Sequence, residues 1–164
     1  MKLNIGLSDD ARLEIGQMLN LLLADEYVLS ATTRDYHWNV TGPAFLTLHR
    51  LFDEQYEQFT EYTDQVAERA RSIGISARGN WAALTQAARA SANPGTGLPA
   101  KHMLVELLAL HENIIIQLRT DSEICTGRLK DAGTADFLTG LMTQHEKTAW
   151  IIRAQLETDE AKAC

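Results

Sequence analysis

Hydrophobic and polar residues follow a helical period along most of this chain. Apolar side chains recur three and four positions apart over long stretches. Val, Ile and Thr do not form the alternating runs that are typical of strands. Glycine and proline, which interrupt helices, cluster at four places: residues 42–43, 74–79, 93–99 and 130–133. The pattern therefore predicts long helices separated by four breaks.

Five helices are predicted between these breaks. The four long ones span about residues 8–40, 43–74, 99–130 and 134–157, and a short one spans 80–91. Ser8 and Thr134 are candidate N-caps, and Gly74 is suited to end the second helix. The connection that contains the short helix is long enough for the second and third long helices to run parallel. This predicts an all-α, ferritin-like four-helix bundle in one domain, residues 1–164.

Composition narrows the possible functions. The chain has 164 residues, of which 45% are hydrophobic and 23% are charged, which excludes a disordered protein. The net charge of −7 disfavours general binding to nucleic acid or anionic membranes. No apolar run approaches a membrane span, and no secretory signal is visible. Two cysteines make no disulfide framework, so we expect a cytoplasmic protein in which Cys125 packs and Cys164 is exposed.

The second long helix has two distinct faces when it is drawn at 100° per residue. Its apolar and aromatic face is predicted to pack in the bundle. That face comprises Phe45, Leu48, Leu51, Phe52, Tyr56, Phe59, Tyr62, Val66, Ala70 and Ile73. A polar stripe runs beside it and contains His49, Asp53, Asp64 and Glu68.

The polar stripe consists of two i, i+4 pairs, His49 with Asp53 and Asp64 with Glu68. Such a pair can chelate one metal ion, and mixed imidazole and carboxylate donors suit iron, zinc or manganese. The pairs are about 22 Å apart along the helix, so one chain cannot bring them to one ion. Two antiparallel copies related by a two-fold axis can, which predicts two equivalent shared sites per dimer. His37 precedes the turn at 42–43 and could reach His49. A solvated helix face is the alternative interpretation of the stripe.

The motif between residues 37 and 69 resembles that of a known family. The segment 37–40 (His-Trp-Asn-Val), followed by Gly42, Phe45, 48–49, Asp53, Asp64 and 67–69, is similar to the Dps mini-ferritins, the DNA-binding proteins from starved cells. Residue types and spacings agree between 37 and 69, and a weaker resemblance extends from about 12 to 158. The resemblance implies a hollow dodecamer of four-helix subunits, with the short extra helix in the long connection.

The resemblance also implies a ferroxidase centre at the two-fold interface. On the family pattern, His37, His49 and Asp53 come from one subunit, and Asp64 and Glu68 come from its partner. Two Fe(II) ions would be oxidised there, preferably by hydrogen peroxide and otherwise by dioxygen, and the ferric product would be stored as mineral to limit oxidative damage. Further implied roles fall on three groups of residues: Trp38 beside the iron site, Asp131 and Asp136 in the three-fold pores, and Glu54 and Glu57 in mineral nucleation.

Several alternatives stay open. The segments at the two ends of the chain lack a cluster of lysine or arginine, so we expect weak or absent DNA binding. A non-enzymatic Dps-like shell, a DNA-packaging protein, or a site that prefers zinc or manganese would fit the same fold. A di-iron enzyme with its metal inside one subunit is disfavoured because no Glu-x-x-His sequence occurs. His102, His111 and His145 are expected at the surface or at an interface.

Overall fold

The computed structural model describes residues 3–89 and 97–160, apart from the side chains of Trp81 and residues 158–160. Its five helices are α1 Asp9–Asn39, α2 Phe45–Ser72, α3 Trp81–Ala87, α4 Ala100–Gly127 and α5 Ala132–Glu160. No strand occurs within this part of the chain. None of the helices described combines the length and apolar character needed to cross a membrane. The short helix ends at Ala87, before its predicted end at about 91, because Ala88 already leaves the helical conformation. Residues 90–91 and Cys164 lie outside the described residues.

The four long helices form two hairpins that pack together. α1 pairs with α2, and α4 pairs with α5. Glu14 near the start of α1 bonds Arg128 after the end of α4, while Tyr36 near the end of α1 bonds Glu106 near the start of α4. α1 and α4 are therefore antiparallel, and α2 and α4 run in the same direction. This confirms the prediction that the long connection lets the second and third long helices run parallel. The connection places α3 against α1.

Short-range hydrogen bonds determine where the helices begin and end. Ser8 caps α1, as predicted, by accepting a bond from the Ala11 amide at 3.1 Å. Gly74 follows α2 with φ +83°, a conformation that favours glycine and ends a helix. The prediction of Thr134 as the N-cap of α5 is wrong. The helix begins at Ala132, and the Thr134 amide donates to Asp131 Oδ1 at 3.0 Å, so Asp131 occupies the cap position.

The bundle core contains apolar residues from all four long helices, which explains their shared periodicity. The largest fully buried side chains include Tyr36, Phe52, Phe59, Met103 and Leu107. The predicted core face of α2 is buried at its centre but not at its margins. Phe45 is 43% exposed at the start of the helix, and Tyr56 is half-buried. The exposed margin of this face borders the polar stripe that carries the candidate metal ligands.

Candidate metal centre

Two histidines meet at the turn between α1 and α2. Gly42 has φ +102°, and this tight turn returns the chain so that His37 and His49 lie side by side. Their rings are stacked with centroids 3.9 Å apart. His37 Nδ1 donates to the His49 carbonyl oxygen at 3.0 Å, and His49 Nδ1 donates to the His37 carbonyl oxygen at 2.8 Å. The predicted proximity of the two residues is present in the structure.

This reciprocal pairing prepares both rings to bind a metal ion. A carbonyl oxygen can only accept, so each Nδ1 carries its proton, and in neutral imidazole each Nε2 keeps its lone pair. Backbone carbonyls commonly orient metal-binding histidines in this way. Asp53 lies one turn after His49, and its Oδ1 is 3.9 Å from His37 Nε2. Two imidazole nitrogens and a carboxylate fit the donor preferences of iron, zinc or manganese.

Asp64 and Glu68 are exposed on the same helix but lie far from the histidines along its axis. Asp64 lines a cavity of about 610 Å³ between α1, α2 and the segment around α3, together with Glu57, Glu61 and Tyr27. Within the described part of one protomer, no three His, Cys, Asp or Glu side chains are grouped closely enough to hold a metal ion. A single copy therefore carries the proposed ligands as two separated halves.

The remaining predicted site residues differ in how far their side chains are exposed. Trp38 is 69% exposed beside the histidine pair, and Glu54, Glu57 and Asp136 are also exposed. Their proposed roles in the iron site, in nucleation and in the pore stay predictions.

Asp131 is buried and engaged within the protomer. Its carboxylate accepts bonds from Thr134 and pairs with Arg69 at 3.2 Å. Burial by itself raises the pKa of Asp131, but the bonds from Thr134 and the Arg69 charge outweigh it and hold that pKa below its usual range. The structure thus gives Asp131 a capping function, while its pore role stays a prediction.

A group of titratable side chains inside the bundle was not predicted. His111 and His145 are completely buried, so the expectation that they lie at the surface or an interface is wrong. His111 Nδ1 is 2.9 Å from His145 Nδ1, and His145 Nε2 is 2.8 Å from the buried Glu26 Oε1. Burial, assisted by His145, holds the pKa of His111 well below its ordinary value.

The sequence did contain a signal for this group. His111 lies on the apolar stripe of α4, four residues after Leu107 and three before Ile114, both of which are buried. A polar residue at such a position faces the core. By contrast, Cys125 is buried as predicted, and burial raises the pKa of its thiol to about 11.

Comparisons with known proteins identify the family. The family described as "Ferritin-like domain" matches residues 16–161. An uncharacterized low temperature-induced protein from Nostoc is 41% identical, covering 95% of this chain and 87% of that protein. DNA protection during starvation protein 2 of Bacillus anthracis is 31% identical and covers 87% of this chain and 97% of its own length.

A solved structure has the same fold. The crystal structure of a Dps protein from Vibrio cholerae, described as a member of a broad superfamily of ferritin-like diiron-carboxylate proteins, has a TM-score of 0.88 at 27% identity. It covers 95% of this chain and 98% of that chain. The family match and the relative named for protection during starvation agree with this likeness of fold. This chain belongs to the Dps family of ferritin-like proteins.

Proposed function

We propose that this protein oxidises Fe(II) to Fe(III) and stores the ferric product, with a ferroxidase site shared between two copies of the chain. His37, His49 and Asp53 of one copy would face Asp64 and Glu68 of a second copy. The observation that supports this most directly is the reciprocal histidine pair, in which both Nε2 atoms are free to bind a metal ion. The separation of the two half-sites on α2 explains why two copies are required.

The proposed chemistry uses two Fe(II) ions and one hydrogen peroxide molecule. Each Fe(II) gives up one electron, the O–O bond breaks, and two hydroxide ions form. Delivery of both electrons at one site avoids release of hydroxyl radical. Dioxygen is the alternative oxidant. Carboxylates stabilise the ferric product because hard cations prefer oxygen donors, and the imidazoles leave coordination positions for the oxidant.

The family assignment extends the proposal to the whole assembly. Copies of the chain would form a dodecameric, hollow shell in the cytoplasm that keeps ferric mineral away from peroxide. Asp136 and Asp131 are proposed to favour cation entry at three-fold pores, and Glu54 and Glu57 are proposed to bind the first ferric ions. DNA binding is proposed to be weak or absent at physiological salt because the chain carries a net charge of −7.

A subunit-mixing experiment tests the shared site directly. One variant, His49→Ala with Asp53→Ala, lacks the first half-site, and another, Asp64→Ala with Glu68→Ala, lacks the second. Each is expected to assemble but to oxidise anaerobic Fe(II) slowly after peroxide addition. In mixed dimers, one site recovers both intact halves and the other loses both. Random co-assembly at equal amounts should therefore restore about a quarter of the parent sites.

Two results would count against the proposal. If the Asp64, Glu68 variant oxidises iron like the parent while retaining its size in gel filtration, the stripe is a solvated face. If co-assembly restores no activity although mixed shells are detected by mass spectrometry, the site is not shared. Tighter binding of zinc or manganese than of iron at this site would favour the alternative metal preference.

A further inference from the structure

The segment that joins α2 to α4 is fastened to α1 at two points. At the first, Asn20 Oδ1 accepts a bond from the Arg78 amide at 2.8 Å, and Asn20 Nδ2 donates to the Ser76 carbonyl oxygen at 3.2 Å. At the second, Arg89 binds Asp25. α3 lies between these two fastenings and packs against α1. A helix of seven residues is too short to be stable by itself, so these contacts determine where α3 lies.

Arg89 fits between two buried carboxylates from different helices. Its backbone amide donates to Asp25 Oδ1 at 2.6 Å, and its Nε donates to Asp25 Oδ2 at 2.8 Å. Its Nη1 donates to Gln117 Oε1 at 3.0 Å and lies 3.8 Å from Asp121 Oδ2. Asp25 of α1 and Asp121 of α4 are both buried. Buried carboxylates require a cation and hydrogen bonds, and the planar guanidinium group supplies both. Arg89 therefore joins the segment to α1 and α4 at once.

The fastened segment forms one wall of the cavity of about 610 Å³ that contains Asp64. Ala77, Gly79 and Leu84 line this wall, and residues of α1 and α2 line the others. Leu84 is itself buried, so α3 cannot move away without exposing part of the core. Asp64 is a proposed ligand of the second half-site, and a second copy of the chain would approach it beside this wall. The position of the wall therefore sets the room for the approaching copy.

We infer that Arg89 is a positioning residue that holds the segment 76–89 against α1, so that the second half-site can accept the ligands of another copy. The inference rests on the proposed function, because it concerns the shared site. It makes a specific claim: Arg89 supports the second half-site of its own copy and does not support the first. A general role in folding would affect both half-sites alike.

The test repeats the subunit-mixing experiment with Arg89→Gln as one component. Full-length chains are assembled into shells, Co(II) is the probe, and the visible d–d absorption counts the ions bound at shared sites. Removal of groups that orient metal ligands typically weakens metal binding by about 10–100-fold. Arg89 acts at longer range, so we expect Arg89→Gln shells to bind Co(II) about tenfold more weakly than the parent.

The two mixtures should give opposite results at a Co(II) concentration that fills the parent sites but not those of the variants. Mixed with His49→Ala, Asp53→Ala chains, Arg89→Gln supplies an intact first half-site and its partner supplies an intact second one. Random co-assembly at equal amounts should then restore about a quarter of the parent sites. Mixed with Asp64→Ala, Glu68→Ala chains, every site contains a defective second half, so no sites should be restored.

Two further variants complete the design. Arg153→Gln is the matched control, because it removes an exposed arginine that pairs with Glu112 at 2.9 Å on α4 and α5. It should stay within about twofold of the parent in Co(II) affinity. Arg89→Lys keeps a cation beside the buried carboxylates and takes the place of Arg89→Gln if that variant does not assemble. Amide hydrogen exchange in residues 76–88 should be faster in the Arg89 variants than in the control.

The outcomes separate this inference from the proposed function. Equal restoration in the two mixtures, restoration in neither, or parental Co(II) affinity in both Arg89 variants would overturn the inference while the parent still oxidises Fe(II). A parent protein that binds Co(II) at shared sites but does not oxidise Fe(II) would refute the ferroxidase proposal and leave the mixing result meaningful. A parent protein that binds no Co(II) at shared sites would refute both.

Discussion

The buried pair of His111 and His145 predicts a specific loss of stability in acid. His111 is completely buried, and its folded-state pKa lies well below the ordinary value of 6.5. Below pH 6.5 the unfolded chain binds a proton at this residue and the folded chain does not. The free energy of unfolding must therefore fall as the pH is lowered, by about 1.4 kcal/mol per pH unit for this one group. Stability is retained above pH 6.5, where both states are neutral.

The substitution His111→Phe should remove the pH-dependent contribution of His111 to the free energy of unfolding. Phenylalanine is apolar and similar in shape, and the site already contacts the Phe59 ring, whose centroid is 5.1 Å from that of His111. At pH 7 the variant loses the bond to His145 Nδ1 and leaves that atom unpaired, which costs about 1–3 kcal/mol. As the pH falls below 6.5 the parent should lose stability through His111, by up to about 1.4 kcal/mol per pH unit, and the variant should be spared this loss.

Urea unfolding at a fixed protein concentration measures both effects. The unfolding free energy is determined at several pH values between 7 and 4.5 for the parent, for His111→Phe and for the control His102→Phe, which alters an exposed histidine on the same helix. We expect the parent and the control to show the same slope, and His111→Phe to show a slope shallower by about one proton. Parallel slopes for all three proteins would refute the reasoning that His111 is neutral because it is buried.

Two further predictions concern packing and capping. A methyl group added at Gly16 would lie 2.5 Å from Ile75 Cγ2, so Gly16→Ala should destabilise the fold by about 1–3 kcal/mol in thermal unfolding. The helical control Gly140→Ala meets open space in the protomer and should be neutral or stabilising in the same assay, and equal losses would contradict the close approach. Asp131→Ala should cost about 2 kcal/mol in urea unfolding because α5 loses its cap and Arg69 loses its ion pair. Asp131→Asn, which keeps an acceptor, should cost less; the reverse order would contradict the capping role.

Most of the fold could be predicted because the elements that determine it are local. Helical periodicity, the glycine and proline breaks, the Ser8 cap and the Gly74 terminus all act within a few residues along the chain. The proximity of His37 and His49 was also predictable, because a short turn joins their helices. The error at Thr134 was local too: Asp131 accepts a bond from the Thr134 amide group and so starts the helix earlier than predicted.

The bundle interior could not be predicted in the same way. Glu26, His111 and His145 come from three helices, and their contacts depend on how those helices pack. A residue's position on an apolar stripe shows that it is buried but does not identify its polar neighbours. The sequence pattern also places Tyr56 on the core face, although the residue is only half-buried. The pattern does not distinguish an aromatic ring at the centre of an apolar face from one at its margin.

The helix α2 explains why one protein can combine a packed core with a proposed metal site. Its apolar face contains Phe52 and Phe59, which are fully buried and stabilise the bundle without any metal ion. The ligand stripe lies to one side, where Asp53, Asp64 and Glu68 remain accessible to a second copy of the chain. Loss of ligands should therefore leave the folded protomer intact, because the core does not depend on them. This separation makes the subunit-mixing experiment interpretable: inactive variants still supply folded partners, and restored activity reports the geometry of the shared site.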